Sequence, residues 1–306
     1  MTLTEEMKAN RCIAIMGSHA AIIEGVSRWG DEHWLFNVFR GNISDAIKVT
    51  VLMRIGAGGC EDLARTLYTE ATGNKVRQIR RTLWHKNHKF IGGHPDGIVV
   101  GDKNRGIECK CVFQRAERDW DDGVPEYYIS QVKHYALVTG RMKWDFSVLF
   151  MAYGRHEIYE LEFTKKDLDD LCRKEVKFWI DVQAGREPEV TDRSAPTLKD
   201  MWKTTDPELI KVADEQIADR VKSRQSYKEM HEGVKAQLDL HENKIRQYME
   251  DAETLIDSNG DTIATYKLNK SGSRRFNFNI KKEKKNGSNN ASQPSGKAGV
   301  GEAVHA

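Results

Sequence analysis

Two apolar periods run through this chain. In Trp144 to Tyr153 every second residue is apolar (Phe146, Val148, Phe150, Ala152), which predicts an amphipathic strand with Glu157 to Phe163 as its hairpin partner. Ile98-Val-Val100 and Ile107 to Phe113 predict two more strands, joined by Gly101-Asp-Lys-Asn-Arg-Gly106, the composition of a hairpin turn. Val76 to Trp84 is strand-like, whereas Asp45 to Ile55 fits a helix or a buried strand equally well. Helical spacing governs the intervening segments. In Gly58 to Gly73, Leu63, Leu67 and Ala71 form an apolar stripe and Glu61, Arg65 and Tyr68 a polar one, with Gly73 closing the helix. A helix from Pro125 to Gly140 places Gln131 on the face of Tyr128 and Tyr135. Thr164-Lys-Lys-Asp167 is a capping box, and it opens a helix carrying Leu168, Leu171, Cys172, Phe178 and Val182 to a stop at Gly185. Nearer the start, Ser18 ends an apolar run and has the chemistry to cap a helix through Ala20 to Gly25.

Strands flanked by helices predict an α/β (α+β) domain with a mixed central sheet over residues 10–188. Residues 114–124 are an acidic loop around Trp120, and 189–205, containing Pro196, is a linker. Asp206-Pro207-Glu208 is a helix start. The three- and four-residue apolar spacing over 207–255 gives a long helix or helical hairpin, broken if anywhere near Gly233. Asn259-Gly260 signals a type I′ turn, so a small hairpin ends a 206–280 extension. Within it, Arg274-Arg-Phe-Asn-Phe reads either as a contact for single strands or phosphates or as a short closing strand. Residues 286–306 are rich in Gly, Ser, Asn and Ala and are expected to be disordered.

Composition narrows the class. With 306 residues, 39% apolar and 31% charged, and no run of 18 apolar residues, the chain reads as a soluble protein with no membrane span. Its start carries no signal-peptide pattern, so a cytoplasmic setting is expected. Five cysteines in apolar or strand contexts fit reduced thiols. The net charge of +2 excludes little; the basic clusters at 75–89 and 267–285 suit an anionic partner or a solvated face equally.

The candidate chemistry lies in His94-Pro95-Asp96-Gly97 and Ile107-Glu108-Cys109-Lys110-Cys111. Alternation places Glu108 and Lys110 on one strand face, with Asp96 on the neighbouring antiparallel strand. Asp96, Glu108 and the backbone carbonyl of Cys109 make a partial oxygen shell for Mg²⁺, with Mn²⁺ as the alternative, which substrate phosphate oxygens would complete. Lys110 then orients or helps deprotonate a water and offsets developing negative charge. Cys109-x-Cys111 lacks a second Cys or His pair, so it does not read as a zinc site. Taken alone, Glu61 is a first-turn acid favoured by the helix dipole, and Gln131 is a surface amide with the reach to touch phosphate or sugar.

The set Gly58 to Gly73 with Glu61, Pro95-Asp96-Gly97, Glu108-Cys-Lys-Cys, Pro125-x-Tyr127 and Gln131 before Val138-Thr139-Gly140 resembles the YqaJ-type viral recombinase family. That family lies in the PD-(D/E)xK nuclease superfamily and is related to bacteriophage lambda exonuclease. The resemblance implies a restriction-endonuclease-like core and a Mg²⁺-dependent exonuclease acting 5′ to 3′ on linear double-stranded DNA ends for phage or prophage recombination. It further implies a ring-like homotrimer and a single-strand annealing partner of the RecT or Bet kind. By the same resemblance Glu61 completes the metal site, Gln131 helps hold the substrate end, and Arg11 and Ser18 bind the 5′-terminal phosphate. His94 stands where the family pattern has a small hydroxyl residue; its ring can still donate to phosphate, with a charge that depends on pH. A same-fold endonuclease or helicase-associated nuclease, and a non-catalytic DNA-binding or assembly protein, are the alternatives; the intact Asp96, Glu108 and Lys110 set argues against the last.

Overall fold

Residues 11–44, 59–269 and 272–279 are described by the computed structural model; the ambiguous 45–55 stretch and the 286–306 tail lie outside them. In chain order come helices α1 (Gly17–Ile23), α2 (Glu32–Phe39) and α3 (Glu61–Thr72), then strands β1 (Val76–Gln78), β2 (Leu83–Trp84), β3 (Gly92–Gly93), β4 (Gly97–Val99) and β5 (Arg105–Val112). A 3₁₀ helix (Gln114–Trp120) and α4 (Glu126–Thr139) lead to β6 (Lys143–Phe150), β7 (Arg155–Glu162), α5 (Lys165–Gln183) and α6 (Ala195–Met201). The chain divides into one unit reaching Thr205 and another beginning at Asp206.

The first unit is built on a five-stranded mixed sheet in the order β1-β4-β5-β6-β7, in which β5 and β6 are parallel and the other pairs antiparallel. Parallel neighbours need a crossover, and α4 supplies it. On the face beneath α4, Trp144, Phe146, Val148 and Phe150 meet Val132, Tyr135, Ala136 and Trp120. On the other face, Ala64 and Tyr68 of α3 cover Val99, Ile107 and Cys109. Helices α1, α2 and α5 share a separate apolar cluster through Ile22, Leu35, Phe36, Phe178 and Val182.

Several expectations change here. The apolar stripe of α3 is not its packing face: Leu63 is 47% exposed, while Ala64 and Tyr68 are 0% exposed. The Tyr68 hydroxyl donates to buried Asp145 Oδ2 at 2.5 Å, which draws the polar stripe inward. Strand β6 is likewise not half-solvated. Its polar alternates lie under α3, where Ser147 Oγ donates to the Ala64 carbonyl, so both faces are covered. Val76 to Trp84 forms two short strands in different sheets rather than one. The 114–124 loop contains the 3₁₀ helix and buries Trp120. Ser18 is not a cap, since Met16 occupies the N-cap of α1. The 189–205 stretch carries α6 rather than a plain linker. Asp31, the N-cap of α2, accepts hydrogen bonds from the Thr191 and Ser194 hydroxyls and ties this segment down.

In the second unit, α7 (Glu215–Met249) is one continuous 35-residue helix through Gly233, neither broken nor a hairpin. It starts at the Asp214 N-cap and not at Asp206-Pro207, since residues 207–214 are not helical. Pairs such as Gln225–Glu229 and Glu242–Arg246 at i,i+4 support its exposed surface. A three-stranded antiparallel sheet of β8 (Thr254–Ile256), β9 (Thr262–Leu268) and β10 (Arg274–Phe278) replaces the expected hairpin. Gly260 has φ +85° but Asn259 does not share the left-handed region, so the turn is not type I′. Arg274 donates to the carbonyls of Tyr266, Glu250 and Ala252, which gives the Arg274-Arg-Phe-Asn-Phe motif a structural role in closing this sheet.

Candidate active site

The site forms where β4 joins β5. The antiparallel register Gly97↔Ile107 sets Asp96 opposite Glu108, and the Cys109 N–H donates to Asp96 Oδ2 at 2.8 Å. Parallel pairing of Glu108 with Phe146 turns Glu108 toward α4. There Lys110 Nζ lies 2.6 Å from Glu108 Oε1, and Gln131 Nε2 donates to the same oxygen at 3.0 Å. Gln131 Nε2 also reaches Tyr135 Oη at 2.9 Å, while its own Oε1 accepts from Lys110 at 3.4 Å. Lys110 Nζ stands 4.6 Å over the Tyr128 ring. Cys109 faces α3 instead, on the far side of the sheet.

Burial sets the electrostatics. Glu108 is 3% exposed, and its pKa is pushed up to about 8 by burial first and by the Asp96 carboxylate second, against the pull of Lys110. Burial draws the Lys110 pKa down, but the charges of Glu108, Tyr128 and Asp96 outweigh it and hold the ammonium well above its ordinary value. In this arrangement Lys110 is a donor and a positive charge, which favours water orientation and charge neutralisation over proton abstraction. Glu108 Oε2 is buried with no hydrogen-bond partner. A buried carboxylate oxygen without a donor, beside a second carboxylate, fits a hard cation.

The other candidates fall in distinct places. Arg11 Nη1 donates to Ser18 Oγ at 2.8 Å. His94 Nε2 pairs with Thr82 Oγ1 at 2.8 Å, and its pKa is lowered by burial and then by Arg11, so the ring is neutral at pH 7. Arg11 thus lies within electrostatic range of both Ser18 and His94. Gln131 belongs to the carboxylate end instead. Glu61 opens α3, which packs on the Cys109 face. Sequence reasoning passed over His134 and Glu175, both 0% exposed and 2.7 Å apart. The signal was present: Glu175 interrupts the apolar stripe Leu168, Leu171, Phe178, Val182, and a charge there calls for a buried partner.

Residues 6–142 match the model of the YqaJ-like viral recombinase domain. The uncharacterized protein YqaJ of Bacillus subtilis (strain 168) is 30% identical over 261 residues, covering 81% of this chain and 79% of the relative. The chain belongs to the YqaJ-like viral recombinase family. Among solved structures, an alkaline exonuclease from Laribacter hongkongensis (LHK-Exo) shares 21% identity with a TM-score of 0.50, over 60% of this chain and 94% of that one. The same exonuclease in complex with dAMP shares 23% identity at a TM-score of 0.50, with the same coverage. These likenesses place the mixed sheet and its helices in the nuclease-type α/β fold that the motifs led us to expect. No helix among the described residues is long and apolar enough to cross a membrane.

Proposed function

We propose that this chain is a divalent-metal-dependent deoxyribonuclease that shortens linear duplex DNA from the 5′ end. Its expected setting is phage-type recombination beside a single-strand annealing protein. The observation that carries this reading is the partnerless, buried Oε2 of Glu108 beside Asp96, with Lys110 and Gln131 on the other carboxylate oxygen. Asp96, Glu108 and the Cys109 carbonyl would hold Mg²⁺ or Mn²⁺. When bound, such an ion supplies positive charge that polarises a phosphodiester oxygen and acidifies water. The chain's own groups do the rest. Lys110 places an ammonium where negative charge develops, and Gln131 fixes Glu108 by its amide. Arg11 and Ser18, already joined, offer a cation and a hydroxyl to a terminal phosphate, with neutral His94 nearby as a hydrogen-bonding ring.

The test uses linear 5′-phosphorylated duplex, linear 5′-hydroxyl duplex and closed circular DNA, each with Mg²⁺ or EDTA, for the wild type and Lys110→Ala. Loss of linear DNA with Mg²⁺, preference for the 5′-phosphate and no digestion by Lys110→Ala are expected. Cut circles, or digestion in EDTA, would sink the proposal.

A further inference from the structure

Beneath the site lies a charged pair that the chemistry above does not use. His134 on α4 is fully enclosed. Its Nδ1 is 2.7 Å from Glu175 Oε1 on α5, and its Nε2 is 2.8 Å from the carbonyl oxygen of Gly92. The Glu175 carboxyl and the Gly92 carbonyl both raise the pKa of the ring against the pull of burial, which favours a protonated ring that donates from both nitrogens. The burial of an ion pair with both side chains 0% exposed is costly unless its geometry does something an apolar pair cannot.

The third partner shows what that is. Gly92 opens the run Gly92-Gly93-His94-Pro95-Asp96, so the oxygen gripped by His134 lies four residues before the metal-site carboxylate. Its two glycines pass close under aromatic rings. A Cβ on Gly92 would stand 2.7 Å from the Trp84 ring, and one on Gly93 2.9 Å from the Tyr135 ring. The Gly92 N–H donates to the Ile15 carbonyl at 2.9 Å, and the Asp96 carboxylate is held by the Cys109 N–H at the far end. His134 clamps the next peptide plane, through the Gly92 carbonyl, from the helix side. One turn earlier on α4, Gln131 holds Glu108. Residues three apart lie on one helix face, so a single rigid element grips both arms of the carboxylate pair.

We infer that His134, charged and aimed by Glu175, is a positioning residue that sets the approach of Asp96 to Glu108 through the Gly92 carbonyl, with α4 fixing the spacing of the two carboxylates. Glu175 serves by making His134 a donor on both sides. This inference rests on the nuclease reading only for the role given to Asp96. The mechanical part is independent of it: with His134 unable to donate, the 92–96 run loses its one fully buried anchor from α4 and the carboxylate pair loosens.

The test compares the full-length wild type, His134→Leu/Glu175→Leu and Glu175→Gln. The double variant removes donor and buried charge together, so its thermal stability is expected to stay close to wild type. Three readouts follow: hydrogen–deuterium exchange of the peptide 91–97, Mn²⁺ affinity by calorimetry, and kcat against KM on linear duplex. In the folded double variant, peptide 91–97 is expected to exchange at least tenfold faster, Mn²⁺ Kd to rise at least fivefold, and kcat to fall with KM unchanged. Glu175→Gln leaves a neutral ring that accepts from the new amide and still donates to Gly92, so its loop exchange stays within twofold of wild type. A stable double variant with unchanged loop exchange and Mn²⁺ affinity would overturn the inference. So would Glu175→Gln if it loosened the loop as much as the double change. If leucine packing prevents folding, His134→Phe/Glu175→Met fills the site with a ring and no donor, and the same criteria decide. A wild type that cuts no DNA, in a series where the loop still loosens, would remove the nuclease reading and leave the strut standing.

Discussion

Tyr68→Phe isolates the contact that turns the polar stripe of α3 toward the sheet. The phenylalanine ring keeps the packing on Ala64, Val99, Ile107 and Cys109, so no cavity opens and one hydroxyl is lost. That hydroxyl serves Oδ2 of Asp145, a carboxylate 2% exposed whose pKa burial already raises, while Arg105 holds only Oδ1. Loss of a hydrogen bond to a buried charged group costs about 2 kcal/mol. For a domain of this size that lowers Tm by about 4–8 °C. The assay is urea and thermal unfolding followed by tryptophan fluorescence. All seven tryptophans lie before Asp206, so the signal reports the first unit alone. In an Asp145→Asn background the same change should cost markedly less, because the acceptor is no longer charged. A loss below about 0.5 kcal/mol, or an equal loss in both backgrounds, would refute the claim that this hydrogen bond decides which face of α3 is buried.

Three further outcomes are expected. Burial pulls the His134 pKa down, but Glu175 and the Gly92 carbonyl carry it above the ordinary 6.5, so the pair's contribution is complete below pH 6.5 and is lost as pH rises through the raised value. His19 and His85, both lowered by burial first and in part by the charge at His134, act in the opposite sense. The diagnostic is therefore the wild-type urea midpoint relative to that of His134→Leu/Glu175→Leu, which should fall as pH rises from 6 to 9. Gly93→Ala drives a methyl into the Tyr135 ring, which holds Gln131; a loss of about 1–3 kcal/mol and a drop in kcat are expected, and a silent substitution would show that Tyr135 can yield. Arg11→Ala should raise KM for 5′-phosphorylated duplex several-fold and leave 5′-hydroxyl duplex nearly unaffected; equal effects on both ends would remove Arg11 from phosphate binding.

Periodicity and spacing determined a good deal. The β6–β7 hairpin, the α5 capping box, the Gly73 and Gly140 stops and the antiparallel approach of Asp96 to Glu108 all follow from local rules, because turns, caps and strand alternation act over a few residues. So did the motif set, since Asp96, Glu108 and Lys110 sit at fixed offsets on a turn and a strand. What local pattern left undecided is which face each element buries. The polar stripe of α3 goes inward and Ser147 and Asp145 of β6 are covered, because hydrogen-bond partners wait across the layer interface. That α3, which Glu61 opens, lies on the Cys109 side of the sheet is a fact no offset encodes. His134 and Glu175 stand 41 positions apart on two helices and meet the Gly92 carbonyl only when α4 crosses the sheet beneath α5. The sequence by itself specified the chemical groups and their local frames. Tertiary packing decided which of them share an environment, because burial and pairing depend on neighbours that are distant along the chain.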